Sequence, residues 1–133
     1  MLGKVRLFSN CNKRELARIA SLVEEIDAPE GKLIVRQGEP GRECFVITDG
    51  KARATIRGKG STVLGPGSFF GEMSLLDQGP RTATVKAETD MRLLVLGSRE
   101  FSSLVNDVPT VAVRMMRGLA ERLREAERSQ PHH

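Results

Sequence analysis

Apolar and polar positions change rhythm twice along this chain. Leu16, Ile19, Ala20 and Val23 recur at helical spacing near the N-terminus. Asn12 stands ahead of them and Glu15 follows three residues later, the pattern of a capping box. Pro29 and Gly31 close that stretch. The middle of the chain then shortens its period. Runs rich in β-branched and apolar residues cover 32–36, 44–48, 51–56, 61–64, 83–87 and 91–96. Turn residues separate them: Gln37 to Gly41, Asp49-Gly50, Gly58-Lys59-Gly60 and Gly65-Pro66-Gly67. Short strands with turns this closely spaced predict a compact β-barrel or jelly roll.

Helical spacing returns at the C-terminus. Ser98 can cap a short helix through Leu104, and Pro109 suits the first turn of a longer one. Along the second helix Val111, Met115, Leu119 and Leu123 form an apolar stripe, which must lie on something apolar. Core packing is the simplest use of it. The stripe could also pair two copies of the chain as a homodimer. The expected class is therefore mainly β with flanking helices. A single domain over 1–133 is expected: a helical part to 25, a β part over 26–97 and C-terminal helices over 98–128.

Composition narrows the chemistry. The 133 residues suit one core, and 39% apolar with 29% charged residues is ordinary for a globular protein. No apolar run approaches bilayer length, and the first residues lack the apolar stretch of a signal peptide. A cytoplasmic location is expected. Cys11 and Cys44 lack metal-ligand spacing and read as free thiols. His132 and His133 are the only histidines, which argues against histidine catalysis and against a metal-dependent jelly-roll enzyme. No metal and no cofactor are expected. Trp and Tyr are absent, so stacking platforms for single-stranded nucleic acid are scarce. The net charge of +4 includes a cluster at Arg114, Arg117, Arg122, Arg124 and Arg128, but Glu121, Glu125 and Glu127 interleave with it. That mixture reads as a solvated helix face.

One stretch, 67–85, breaks the strand rhythm. Gly71 lets backbone approach a ligand closely. A short helix starting near Glu72 would offer unpaired N–H groups, an anion site. Arg81 supplies a planar fork of donors that matches phosphate oxygens. Thr82 adds a hydroxyl, and the Thr82 and Ala83 amides add donors. Glu72 fits such a place if it accepts from a sugar hydroxyl while lying near Arg81. The set reads both halves of a ribose phosphate. Phe69 and Phe70 read as core.

Phe70-Gly71-Glu72-Met73-Ser74-Leu75-Leu76, followed by Pro80-Arg81-Thr82-Ala83-Thr84-Val85, resembles the phosphate-binding cassette of cyclic nucleotide-binding domains. The resemblance covers nearly the whole chain. It implies an N-terminal helical bundle from Leu7 to Glu25, an eight-stranded jelly roll, and hinge and lid helices at 98–104 and 109–128. It implies that Glu72 holds the ribose 2′-hydroxyl and Arg81 the cyclic phosphate. Amides of Gly71, Met73, Ser74 and Ala83 complete the cradle, and Thr82 touches the phosphate. Within the family, threonine at this position is linked with cGMP acceptance, yet proteins carrying it also bind cAMP. cAMP is the expected ligand and cGMP the alternative. The expected role is a non-catalytic receptor whose C-terminal helix closes over the base, with Arg114, Met115, Leu119 and Arg122 as candidate lid residues. The effector is unknown. No recognition helix follows the lid helix, so direct nucleic acid binding is not expected. A degenerate domain serving protein–protein contacts is the remaining alternative.

Overall fold

The computed structural model describes residues 11–71, 80–114 and 117. Helix α1 spans Lys13–Leu22 and begins as the sequence predicts. The Glu15 N–H donates to Asn12 Oδ1 at 2.8 Å, and the Asn12 N–H donates to Glu15 Oε1 at 3.0 Å. Ile19 is its fully buried residue. The expected helical part reached 25. Instead Val23 is already extended, and strand β1 takes over at Glu24–Ala28. The reason is a period of two. Ile26 and Ala28 face the inside of the barrel while Glu25 and Asp27 face out, where Arg92 meets both carboxylates at 3.2 Å. That part of the expected bundle before residue 11 lies outside the described residues.

The remaining strands are β2 (Leu33–Val35), β3 (Glu43–Asp49), β4 (Ala52–Ile56), β5 (Gly60–Leu64), β6 (Phe69–Phe70), β7 (Thr84–Ala87) and β8 (Met91–Gly97). They form two antiparallel four-stranded sheets, ordered β1-β8-β3-β6 and β2-β7-β4-β5. This is the eight-stranded jelly roll. Strand β6 escaped the sequence pattern because two residues cannot show a period.

Two apolar clusters hold the sheets. Phe45, Ile47, Leu93 and Val95 face the second sheet, where Ala52, Val85 and Ala87 meet them. Cys44, Val46, Leu94 and Leu96 face the opposite way, under Ile19, Leu104, Val108 and Val111. Strands β3 and β8 are thus buried on both sides. Their unbroken apolar runs follow from that. Each large side chain so buried contributes about 1.5–3 kcal/mol.

Helix α2 spans Ser98–Asp107. The expectation of a Ser98 cap and an end at Leu104 is corrected. Strand β8 runs through Gly97, so Gly97 becomes the N-cap, without a side-chain bond, and Ser98 is already helical. Val108 precedes Pro109 and is pushed out of the helical region, which sets the end at Asp107. Residues 109–114 are helical again, with Pro109 in the first turn as expected and Val111 fully buried. Arg18 Nε donates to Asp107 Oδ2 at 2.6 Å and ties α1 to the end of α2. Cys11 and Cys44 are thiols and are not joined in a disulfide.

Candidate functional site

The site residues reach one place by two routes. Strand β6 delivers Gly71 from one side, and the entry to β7 delivers Arg81, Thr82 and Ala83 from the other. Glu72, Met73 and Ser74 lie outside the described residues. So do the candidate lid residues Met115, Leu119 and Arg122. Arg114 is described, half-buried in the 109–114 helical segment.

The backbone of Arg81 is fixed before its side chain is considered. Its N–H donates to the Glu39 carbonyl at 2.9 Å, and its carbonyl accepts from the Gly38 N–H at 2.9 Å. Pro40 and Pro80 face each other across this short antiparallel bridge. Thr84 Oγ1 accepts from the Gln37 N–H at 3.0 Å and extends the join. The turn at 37–41 is therefore stitched to the strand that carries the cation.

Arg81 is the buried charged residue among the described residues, at 7% exposure. Such burial costs free energy unless the cation is well partnered. Its Nη1 donates to the Glu43 carbonyl at 2.6 Å and lies 3.4 Å from the Gly71 carbonyl. Its central carbon sits 5.6 Å over the Phe45 ring. Two glycines make the room. Gly71 has φ +84, and a Cβ there would stand 2.6 Å from Nη1 and 2.7 Å from the Glu43 oxygen. A Cβ on Gly41 would stand 2.1 Å from Nε. The guanidinium is thus laid in a slot between two strips of backbone, with an aromatic face as its floor. A cation held this way is an electrostatic seat for a singly charged anion. Thr82 is exposed and Ala83 half-buried beside it.

Phe69 and Phe70 are both buried, as expected for core, but in different clusters. Phe70 stacks on Phe45 with ring centroids 5.0 Å apart and planes 14° apart. The sequence reading missed Gly41, the Glu43 carbonyl and Phe45. Their role depends on β3–β6 register, Phe45 opposite Phe70, which no local pattern announces. Only the glycine of the 37–41 turn left a trace, and it was read as turn chemistry.

A groove of about 450 Å³ lies elsewhere, on the outer face of the second sheet, lined by Glu30, Arg53, Thr55, Thr84, Lys86 and Glu88. Arg53 there is ion-paired with Glu88, and acids and bases alternate. It lacks the concentrated positive charge of the Arg81 slot.

Comparison with known proteins agrees with this geometry. The sequence profile of the cyclic nucleotide-binding domain matches residues 25–107. The chain is 41% identical over 104 residues to a cyclic AMP receptor protein of Thermus thermophilus, covering 74% of this chain and 48% of that protein. It is 34% identical over 112 residues to a cAMP-dependent protein kinase regulatory subunit of Emericella nidulans, covering 83% and 27%. The fold superposes on the crystal structure of the Thermus thermophilus catabolite activator protein with a TM-score of 0.81 at 36% identity, covering 91% of this chain and 59% of that one. The chain spans less than half the length of either curated relative.

Proposed function

The chain belongs to the cyclic nucleotide-binding domain family, and from that premise we propose that it is a receptor domain for cAMP. It is a binding domain and not an enzyme, like the regulators it resembles. The observation that carries the ligand assignment is Arg81, a guanidinium sunk in a backbone slot next to Gly71. A cyclic phosphate carries one negative charge, and charge-assisted bonds to it offset the cost of keeping that cation buried. Arg81 takes the phosphate, with amides of Gly71, Met73, Ser74 and Ala83 and the Thr82 hydroxyl beside it. Glu72 takes the ribose 2′-hydroxyl. The domain needs no cofactor.

Ligand binding acts by population shift. The helix that starts at 109 closes over the base, using Arg114, Met115, Leu119 and Arg122. The nucleotide drives closure only through contacts that are better in the closed state. The helix then reports to an attached or partner effector, in the cytoplasm, and through it two copies of the chain could pair. No direct contact with nucleic acid is assigned to the chain. A preference for cGMP is the second reading, favoured by an exposed Thr82 hydroxyl at the site.

Calorimetric titration of ligand-stripped protein with cAMP and with cGMP tests this. Micromolar or tighter binding of cAMP, tighter than cGMP, is expected. The reverse order moves the assignment to cGMP. No heat with either leaves the protein-contact reading.

A further inference from the structure

We infer that the outer face of the second sheet is a docking surface for an acidic peptide segment, one that carries a carboxylate between two apolar side chains. Lys86 on β7 stands directly opposite Arg53 on β4. Leu33 on β2 stands opposite Lys86, and Val63 on β5 stands opposite Arg53. Leu33, Lys86, Arg53 and Val63 therefore make one row straight across the sheet, on one face. Read in order, the row is apolar, cation, cation, apolar. Its ends are open, with Leu33 39% and Val63 45% exposed. The groove of about 450 Å³ lies over the two cations in the middle.

Like charges directly opposite each other on a sheet are destabilising. The Arg53 and Lys86 pair is such a case until an anion joins it. Arg53 is partly served: its Nε is paired with Glu88, and its Nη1 donates to Ser61 Oγ at 2.9 Å. The Lys86 ammonium has no partner among the described residues. A carboxylate set between the two cations serves both. Leu33 and Val63 say what should flank it, since they leave water favourably only under apolar groups. Spacing then fixes the pattern of the segment. Neighbouring strands lie about 4.8 Å apart, so Leu33 and Val63 stand about 14 Å apart along the row. An extended chain rises about 3.3 Å per residue and turns alternate side chains to one face. It spans the row with apolar residues four positions apart and an acid midway, above the gap between Lys86 and Arg53. Glu30 and Glu88 line the same groove. They repel a continuous anionic surface such as a bilayer, whereas a single carboxylate fits between the cations.

The test uses the full 133-residue chain, isotopically labelled for NMR. The probe is a capped peptide of nine residues, with leucine at its third and seventh positions, glutamate at its fifth, and serine or glycine elsewhere. Amide shifts are followed as the peptide is added. The expected result is shifts confined to the row and its neighbours on β2, β4, β5 and β7, with a Kd of about 0.1–1 mM. Lys86→Gln should weaken binding about tenfold without lowering the melting temperature, because it removes a repulsion from the free domain. Val63→Ser should also weaken binding. A peptide with lysine in place of its glutamate should leave these amides where they are. Equal shifts from the lysine peptide overturn the inference, as does binding unchanged in Lys86→Gln. An absence of shifts at several millimolar peptide overturns it too. Phosphatidylserine vesicles form the last arm: sedimentation of the chain with them, lost in Lys86→Gln, while the peptide causes no shifts, overturns the peptide assignment in favour of a lipid surface.

Discussion

Arg81 concentrates the problem of the site in one side chain: a full charge, buried, bonded to the Glu43 carbonyl, with a ring beneath it. Charge-assisted hydrogen bonds are worth about 1.5–3 kcal/mol each. Arg81→Ala should therefore weaken cAMP binding by roughly tenfold to a few hundredfold, read by calorimetry. Gly71 is the complementary case. Its positive φ and the short distances to Nη1 and the Glu43 oxygen leave no place for a methyl group. Gly71→Ala should lose about 1–3 kcal/mol of stability in urea melts and lose affinity as well. Away from the site, Cys11 carries a thiol whose pKa is raised, by burial first and by the Glu15 carboxylate next, while Arg114 pulls it down. Its thiolate fraction near neutral pH is thereby reduced. Alkylation by iodoacetamide should be slower than for free cysteine. Glu15→Gln keeps the capping box but removes the charge, and should speed it. Gly71 and Arg81 were legible as single letters with a known chemistry. Gly41 and Phe45 were not, since their meaning exists only across a strand pairing.

At the scale of elements, β6 does the most with the least. Its two residues point to opposite sides of one sheet, so Phe69 joins the cluster under the helices and Phe70 the cluster inside the barrel. Replacing either by Leu should cost about 1 kcal/mol in urea unfolding. Their effects on the ligand should differ. Phe70→Leu should also lower cAMP affinity, since it backs Phe45, whereas Phe69→Leu should leave it near the wild-type value. Helix α1 was readable because its start is written locally, in Asn12 and Glu15. Asn12→Ala should remove about 1 kcal/mol from the same unfolding free energy. Strand β1 was hidden for the opposite reason. Its acids look like a helix's polar face until Arg92 on the neighbouring strand supplies their partner.

For the whole molecule, the apolar clusters meet back to back through β3 and β8, one serving the site and one the helices. The fold class was legible because turn residues divide the sequence into short strands. The layering was not, because it depends on which strands end up in the middle. The Arg18–Asp107 pair spans the outside of this arrangement, and both partners are well exposed. Breaking it should cost only about 0.2–1 kcal/mol in a double-mutant cycle. One small join has a larger bearing on how the site can be watched. Where Pro40 faces Pro80, neither residue has an amide hydrogen, so the bridge is carried by the amides of Gly38 and Arg81. Those two protons form a private clock. The rate at which they trade for deuterium tracks opening of the 37–41 turn away from Arg81, and a nucleotide that seals the slot should slow both together while distant strands keep their own pace.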